Sequence, residues 1–480
     1  MAGLKVVKEG GWCFLTPENT KKSLDFVLQD SGRRVLVPSG PKGLTDRYIG
    51  SAEERILLGS ATRGTYDTIM DKWQELCSGL DLMENCKEIE SRYREILNSY
   101  DGPRNLDDIR AKRFIDDVAR LGETFEAESI VAPLLNRLGA NAVSLSPVGL
   151  ITGTDNPGDA SILPDQKKKL RRRINELLET YHIVVLHGYY CSTRDGQTIV
   201  TLHRGGSDTT GSHAAAELGA ALYENCSDGP IRRADPRVVK DAMQLEKITY
   251  EEALGLSHMG ANILQHEAIK PCWDNGIPIS VIDIFNPDRK TEILKYREPD
   301  KFDITGVTHR KGYVDITVRN LSSRLTSYNL LRQLGIHTRR DVYPSTSLLD
   351  VSIVIPGEKL TDRMIHDKLK HVIRHFRLHD NDIEVRYNIS LISVIGKYMR
   401  DREAINARAA SALASHGLST SNIFQGGSEV GIHYGIQEAT KDPIKAQSGV
   451  RAIYNEFFVD NFFGKVIEER KRELQKQNSI

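Results

Sequence analysis

The first forty residues settle the class of fold. Two short β-branched runs, "LKVVKEGG" and "RRVLVPSG", each end in glycine, and the helical stretch "TPENTKKSLDFVLQDSG" separates them. Such runs read as short strands ending in glycine turns, and strands joined through a helix pair in parallel rather than as a hairpin. The chain therefore opens as a βαβ crossover, the starting unit of a helix-covered sheet.

Residues 61–138 carry helical periodicity in "YDTIMDKWQELC", "CKEIESRYREILNSY" and "RAKRFIDDVARLGETFEAESIVAPLLNRLGA". Strand character returns in "NAVSLSP", "HIVVLHGYY", "TIVTLHRGG" and "IPISVIDIF", which gives an α/β sheet sandwiched by helices. After about residue 296 the pattern changes to strand, helix, strand, helix, and then repeats, so two copies of one small α+β unit are expected. The boundaries fall at 1–296, 297–384 and 385–480, with the C-terminal segment available to complete the first small unit. A chain of 480 residues is long enough for each part to bury its own core.

Charge and cysteine usage remove several classes of function. Lysine plus arginine equals aspartate plus glutamate, 65 of each, so no global field favours nucleic acid or a membrane surface, and the expected partner is small. The run "QKKKLRRRINELLETYH" reads as the solvated face of a helix that turns Leu170, Ile174, Leu177 and Leu178 inward. Cys13, Cys77, Cys86, Cys191, Cys226 and Cys272 form no C-x-x-C pair and no zinc spacing, which reads as small buried side chains in a reducing compartment. With no apolar leader in "MAGLKVVKEGGWCF" and no apolar run of bilayer length, the expectation is a soluble cytoplasmic protein.

The stretch "TIVTLHRGGSDTTGSHAAAELGAALYENC" carries the chemistry. A short strand feeds a turn with Gly205 and Gly206, and an alanine-rich helix leaves it with its positive end directed back at the turn. Anions are favoured there, and Arg204 adds a planar partner for a carboxylate or a phosphate. An ordinary helix entry capped by Ser207 or Asp208 is the competing reading of the same residues.

Four segments in order make the chain resemble the aspartokinases of the amino acid kinase superfamily. "VTLHRGGSDTT" is similar to T-L-G-R-G-G-S-D-x-T with His203 for a glycine, "RADPRVV" to T-A-D-P-R-V-V, and "SGPKGLTD" to S-A-x-x-G-V-T-[DN]. "IGKYMR" and "IFQGGSE" resemble segments of that family's paired ACT regulatory modules. The resemblance implies an αβα kinase sandwich followed by two α+β ACT modules of ferredoxin-like layout. It also implies ATP-dependent phosphorylation of the side-chain carboxylate of L-aspartate, with magnesium carried by the nucleotide.

Carried over residue by residue, the resemblance makes Lys8 the neutraliser of the transferring phosphate and Asp208 the organiser of Lys8 and the metal-phosphate end. Gly10, Gly11, Ser39, Gly205, Gly206, Ser207 and Arg237 would contact nucleotide or phosphate; Thr45 would contact substrate, Arg204 its α-carboxylate and Glu123 its ammonium. Ser428 and Glu429 match the effector segment, and ACT pairing implies a homodimer or larger assembly.

The departures are concentrated near the site. Glu9, Trp12 and Cys13 replace an aromatic and small hydroxyls, Asn262 stands where a second phosphate-binding lysine is expected, and "NCSDGPIR" (Asn225 to Arg232) replaces T-D-V-D-G-V-Y. Lys42, on the turn after the second strand, has the reach to supply the missing charge, against the plainer reading of a solvent-facing loop lysine. Alternatives to an aspartate kinase are a kinase of another amino-acid carboxylate and an amino-acid sensor with a degraded kinase half.

Overall fold

In the computed structural model the described residues are 3–164, 168–203, 205–261, 263–319, 326–335, 342–346, 350–357, 362–376, 378–399, 402–426 and 430–477. They form two compact units. The first takes Met1–Ile231, Leu245–Tyr250 and Leu264–Arg297; the second takes Arg232–Gln244, Glu251–Ile263 and Glu298–Ile480.

The strands of the first unit are β1 (Lys5–Glu9), β2 (Arg33–Pro38), β3 (Ala142–Leu145), β4 (Ile183–Leu186), β5 (Tyr190–Ser192), β6 (Ile199–Thr201), β7 (Leu222–Ser227), β8 (Lys247–Thr249), β9 (Ile279–Asp283) and β10 (Lys290–Leu294). Eight of them make one sheet in the order β3-β4-β2-β1-β7-β9-β10-β8, parallel throughout except between β9 and β10. The expected crossover is present: the helix Pro17–Leu28 links β1 to β2, with Thr16 accepting from the Asn19 N–H and Pro17 in the first turn, where its missing N–H costs nothing. Helices between Leu44 and Arg137 pack Tyr48, Trp73, Tyr93 and Phe125 into one apolar core, where the Trp73 indole N–H donates to the Tyr48 hydroxyl at 2.8 Å.

One strand differs from the sequence reading. The run "TIVT" does not join the large sheet; β6 pairs antiparallel with β5 as a separate hairpin. The Asp195 carboxylate accepts from the N–H groups of Gln197 and Thr198 and from the Thr193 hydroxyl, and this turn folds the short run back on its neighbour before it can reach the sheet. The basic helix Lys169–Thr180 buries Leu170, Ile174 and Leu178 and exposes Arg171, Arg172 and Arg173, as expected, while Leu177 is only half-buried. All six cysteines are free and buried.

The second unit contains β11 (Gly306–Arg319), β12 (Tyr343–Thr346), β13 (Asp350–Pro356), β14 (Ile383–Ile395), β15 (Asn422–Gln425) and β16 (Gly431–Gln437) in one antiparallel sheet, order β12-β13-β11-β14-β16-β15. Its two longest strands, β11 and β14, run side by side, with register shifts near Tyr313. The other strands flank one half or the other. One core gathers Val314, Ile316, Val318, Leu330, Ile353 and Val372, and a second gathers Val307, Ile392, Val394, Leu413, Ile432 and Ile453. The repeated α+β pattern thus appears as two cores on one sheet. Among the described residues no helix is long and apolar enough to cross a membrane.

Candidate active site at the carboxyl ends of the central strands

In the register of the first sheet Lys8 lies beside Val37 and Asn225, and Glu9 beside Pro38 and Cys226, so β1, β2 and β7 end together. From β1 the strand order departs in both directions, to β2 on one side and β7 on the other. The crevice outside the carboxyl ends at such a switch point is where open α/β sheets bind ligands. Successive residues of a strand face opposite sides of a sheet, so Lys8 and Glu9 are committed to different surroundings.

Lys8 meets the helix Gly206–Leu218. Its Nζ lies 2.5 Å from Asp208 Oδ1, and both side chains are largely buried, with 10% and 14% of their surface exposed. Asn225 Nδ2 donates to the same oxygen at 2.9 Å, and the Tyr223 hydroxyl donates to the Asp208 carbonyl at 3.1 Å. Asp208 occupies the first turn of its helix, where the backbone dipoles stabilise negative charge. Gly205 precedes that helix at φ +85°, in the left-handed region, and a Cβ there would strike the Gln265 side chain. The turn needs glycine for its own geometry as well as for any anion.

Glu9 faces buried groups. It accepts from the Ser23 hydroxyl, while its Oε2 has no hydrogen-bond partner among the described residues. Burial pushes its carboxyl up to about 7, against the lowering effects of the Ser23 hydroxyl, Arg33 and Lys8. Glu123, on the short helix Leu121–Phe125, is 4% exposed, and burial pushes it up to about 8 although its own and the Gly40 N–H groups and the Lys8 charge act in the other direction. Glu126 follows on a π-helical turn, Glu126–Val131, fully buried, with neither carboxylate oxygen hydrogen-bonded among the described residues. Burial, and then the charges of Glu9 and Glu123, hold it far above the carboxylate range. Glu123 and Glu126 are thus interior acids rather than charges on a solvated helix face.

Backbone bonds join the loops after β1 and β2: Ser39 N–H to Glu9 O at 2.9 Å, and Lys42 N–H to Gly11 O at 3.0 Å. Gly10 N–H donates to Cys226 O at 3.0 Å. A Cβ on Gly11 would lie 2.7 Å from Gly40 O, so this junction admits no side chain. Thr45 is the second residue of the helix Leu44–Leu58 and is half-buried. Ser207 is buried in the first turn of the Asp208 helix. Lys42 Nζ lies 3.6 Å from the centre of the Trp12 ring.

The structure thus brings Lys8, Gly10, Asp208 and the two interlocked loops together, with Glu123 under Gly40. Arg237 belongs to the second unit, where it is exposed and chelates Asp235. Arg204, Asn262, Ser428 and Glu429 lie outside the described residues. Sequence reasoning missed the pairing of Asn225 with Asp208, although its position within the divergent segment marked the place, and missed Glu267, which bonds His203 at 3.0 Å. Burial opposes it, yet hydrogen bonds from His203 and His266 hold Glu267 below the usual carboxylate range.

Comparison with known proteins agrees with this architecture. Residues 3–283 match the model of the amino acid kinase family. Over 468 residues the chain is 27% identical to aspartokinase 3 of Bacillus subtilis, covering 95% of this chain and 99% of that one. Among solved structures, the aspartate kinase of Clostridium acetobutylicum, an allosteric enzyme, superposes with a TM-score of 0.74 at 24% identity, covering 95% of this chain and all of that one. Aspartokinase III of E. coli, solved with aspartate and ADP, gives 0.76 at 20% identity over the same shares. With residues 3–283 matched and a parallel sheet whose β1, β2 and β7 close at Glu9, Pro38 and Ser227, the chain belongs to the amino acid kinase family.

Proposed function

We propose that this protein transfers the γ-phosphoryl group of ATP to the side-chain carboxylate of L-aspartate, giving 4-phospho-L-aspartate and ADP, the first step toward lysine, threonine and methionine. The observation that carries the reading is the Lys8–Asp208 pair at the mouth of β1, next to a glycine-led helix start. The match to aspartokinase 3 over nearly the whole chain supports the choice of substrate.

A carboxylate oxygen of aspartate attacks the γ-phosphorus, the bond to the bridging oxygen of ADP breaks, and ADP leaves with that electron pair; nothing is oxidised. Catalysis is then mostly positioning and neutralisation of charge. Lys8 opposes the charge on the transferring group, and Asp208 keeps Lys8 in place until that group arrives. Gly10, Gly11, Ser39, Lys42, Gly205, Gly206 and Ser207 are the proposed phosphate and nucleotide contacts; Arg204, Glu123 and Thr45 are the proposed contacts to the amino acid.

Magnesium fits as an ion carried by the nucleotide. Asp208, an oxygen donor on the first turn of its helix, suits an ion bound mainly through phosphates. We assign regulation by an amino-acid effector to the small α+β units at 297–384 and 385–480, with Ser428 and Glu429 as contacts, in a cytoplasmic homodimer or larger assembly.

A hydroxamate assay with ATP, magnesium and a panel of amino acids tests the reading. Aspartyl hydroxamate that disappears in Arg204→Ala and Asp208→Ala is the expected result. Turnover of another amino acid, or of none by folded protein, overturns it.

A further inference from the structure

Two cations at the Gly10–Gly11 turn are held in different ways. Lys8 is paired with a carboxylate at 2.5 Å, whereas Lys42 is exposed and rests on the Trp12 ring at 3.6 Å. Among the described residues no carboxylate lies within ion-pair distance of Lys42. Its backbone is not loose: Lys42 N–H donates to Gly11 O at 3.0 Å, and no Cβ fits between the two chains at Gly11. Trp12 is anchored as well, since its carbonyl accepts from Asn19 Nδ2 at 3.1 Å and from Leu15 N–H at 3.3 Å. The main chain that carries the half-buried indole is therefore fixed, one residue beyond the glycine pair.

An aromatic face attracts an ammonium without neutralising it, and the attraction is weaker than a charge-assisted bond to an oxyanion. A lysine parked this way has its rotamers restricted and its charge intact, and it exchanges the ring for a phosphate without first breaking an ion pair. We infer that Trp12 and Lys42 work as one device, the indole presenting the Lys42 ammonium as a second phosphate-binding cation over the Gly10–Gly11 turn. This rests on the kinase reading for its ligand class, a nucleotide polyphosphate. It gives Lys42 a contact to phosphate and makes Trp12 a positioning residue.

The test is titration of the full-length protein with ADP and with adenosine, which lacks the phosphates, followed by tryptophan emission and by calorimetry. Trp73 is fully buried, and Trp12→Phe identifies the signal that belongs to position 12. ADP is expected to perturb Trp12 emission as Lys42 leaves the ring, and adenosine is not. Lys42→Met should weaken ADP about tenfold or more, the worth of one charge-assisted bond, with adenosine affinity unchanged. Lys42→Arg should restore most of the ADP affinity, and Trp12→Leu should give an intermediate loss. ADP affinity in Lys42→Met within twofold of the parent overturns the inference even if aspartate is turned over. ADP binding that depends on Lys42, in a protein that phosphorylates no amino acid, upholds the inference and removes the aspartate reading.

Discussion

Lys8 Nζ and Asp208 Oδ1 stand 2.5 Å apart, a cation at the end of a central strand held by an anion on the first turn of a helix. Neither is spare charge on a surface, and breaking a pair this sheltered leaves the remaining partner poorly solvated. Lys8→Met is expected to lower kcat about 10²-fold to 10³-fold, the range for deleting one group that stabilises transition-state charge. Asp208→Asn should also lower kcat, with a loss of thermal stability that the double variant partly recovers. Steady-state kinetics and melting curves of the three proteins check both statements, and a kcat unchanged in Lys8→Met removes Lys8 from the chemistry.

Glu123 carries its proton until about pH 8 in the resting protein because it is buried. Binding the ammonium of an amino acid beside it must displace that proton. The KM for aspartate should therefore fall as pH rises from 6 toward 8 and level off above. In Glu123→Gln the KM should be higher and lose this slope. A parent KM that is flat over this range separates Glu123 from the ammonium.

Gly11→Ala places a methyl 2.7 Å from Gly40 O and 2.9 Å from Lys42 N. Both obstacles are backbone atoms, so the loops after β1 and β2 must separate. The expected outcome is a folded protein whose kcat/KM falls at least about 10²-fold, because misplacing reacting groups by an ångström costs that much. Near-parental kinetics would mean that these loops do not position the reactants.

Glu9 gives a stability test independent of activity. Its folded pKa, about 7, lies above the unfolded carboxyl value, so its contribution is complete below about pH 4.3 and is lost as pH rises through 7. The size is on the order of 3 kcal/mol between those limits. Denaturant midpoints should fall between pH 5.5 and 8 in the parent, and less steeply in Glu9→Gln, which keeps an acceptor for Ser23. Equal slopes in the two proteins would locate the titration elsewhere.

The sequence shows the skeleton of the site because local rules write it. Glycines after β-branched runs mark where strands end, and Lys8 and Asp208 sit at fixed offsets from such glycines. What long-range packing decides is not visible there. In "LGETFE" the acids Glu123 and Glu126 look like an exposed helix face, and only the packed helices and the π turn bury them. Trp12 and Lys42 meet because backbone bonds fasten two loops together, and no periodicity encodes that. The strand "TIVT" satisfied every local criterion for the sheet, and its Asp195 turn drew it away. Arg237 matches a motif but satisfies itself on Asp235, a partner two residues away.

The continuous strands β11 and β14 make the two halves of the second unit inseparable property of the same backbone. A slip of one residue along this pair would turn the side chains of both cores to the wrong side at once. No truncation divides that sheet into two intact pieces, and a chain shortened after residue 384 loses most of β14 and with it part of each core. Duplicated in its pattern, the second unit is one indivisible object to a protease, a ribosome or an engineer.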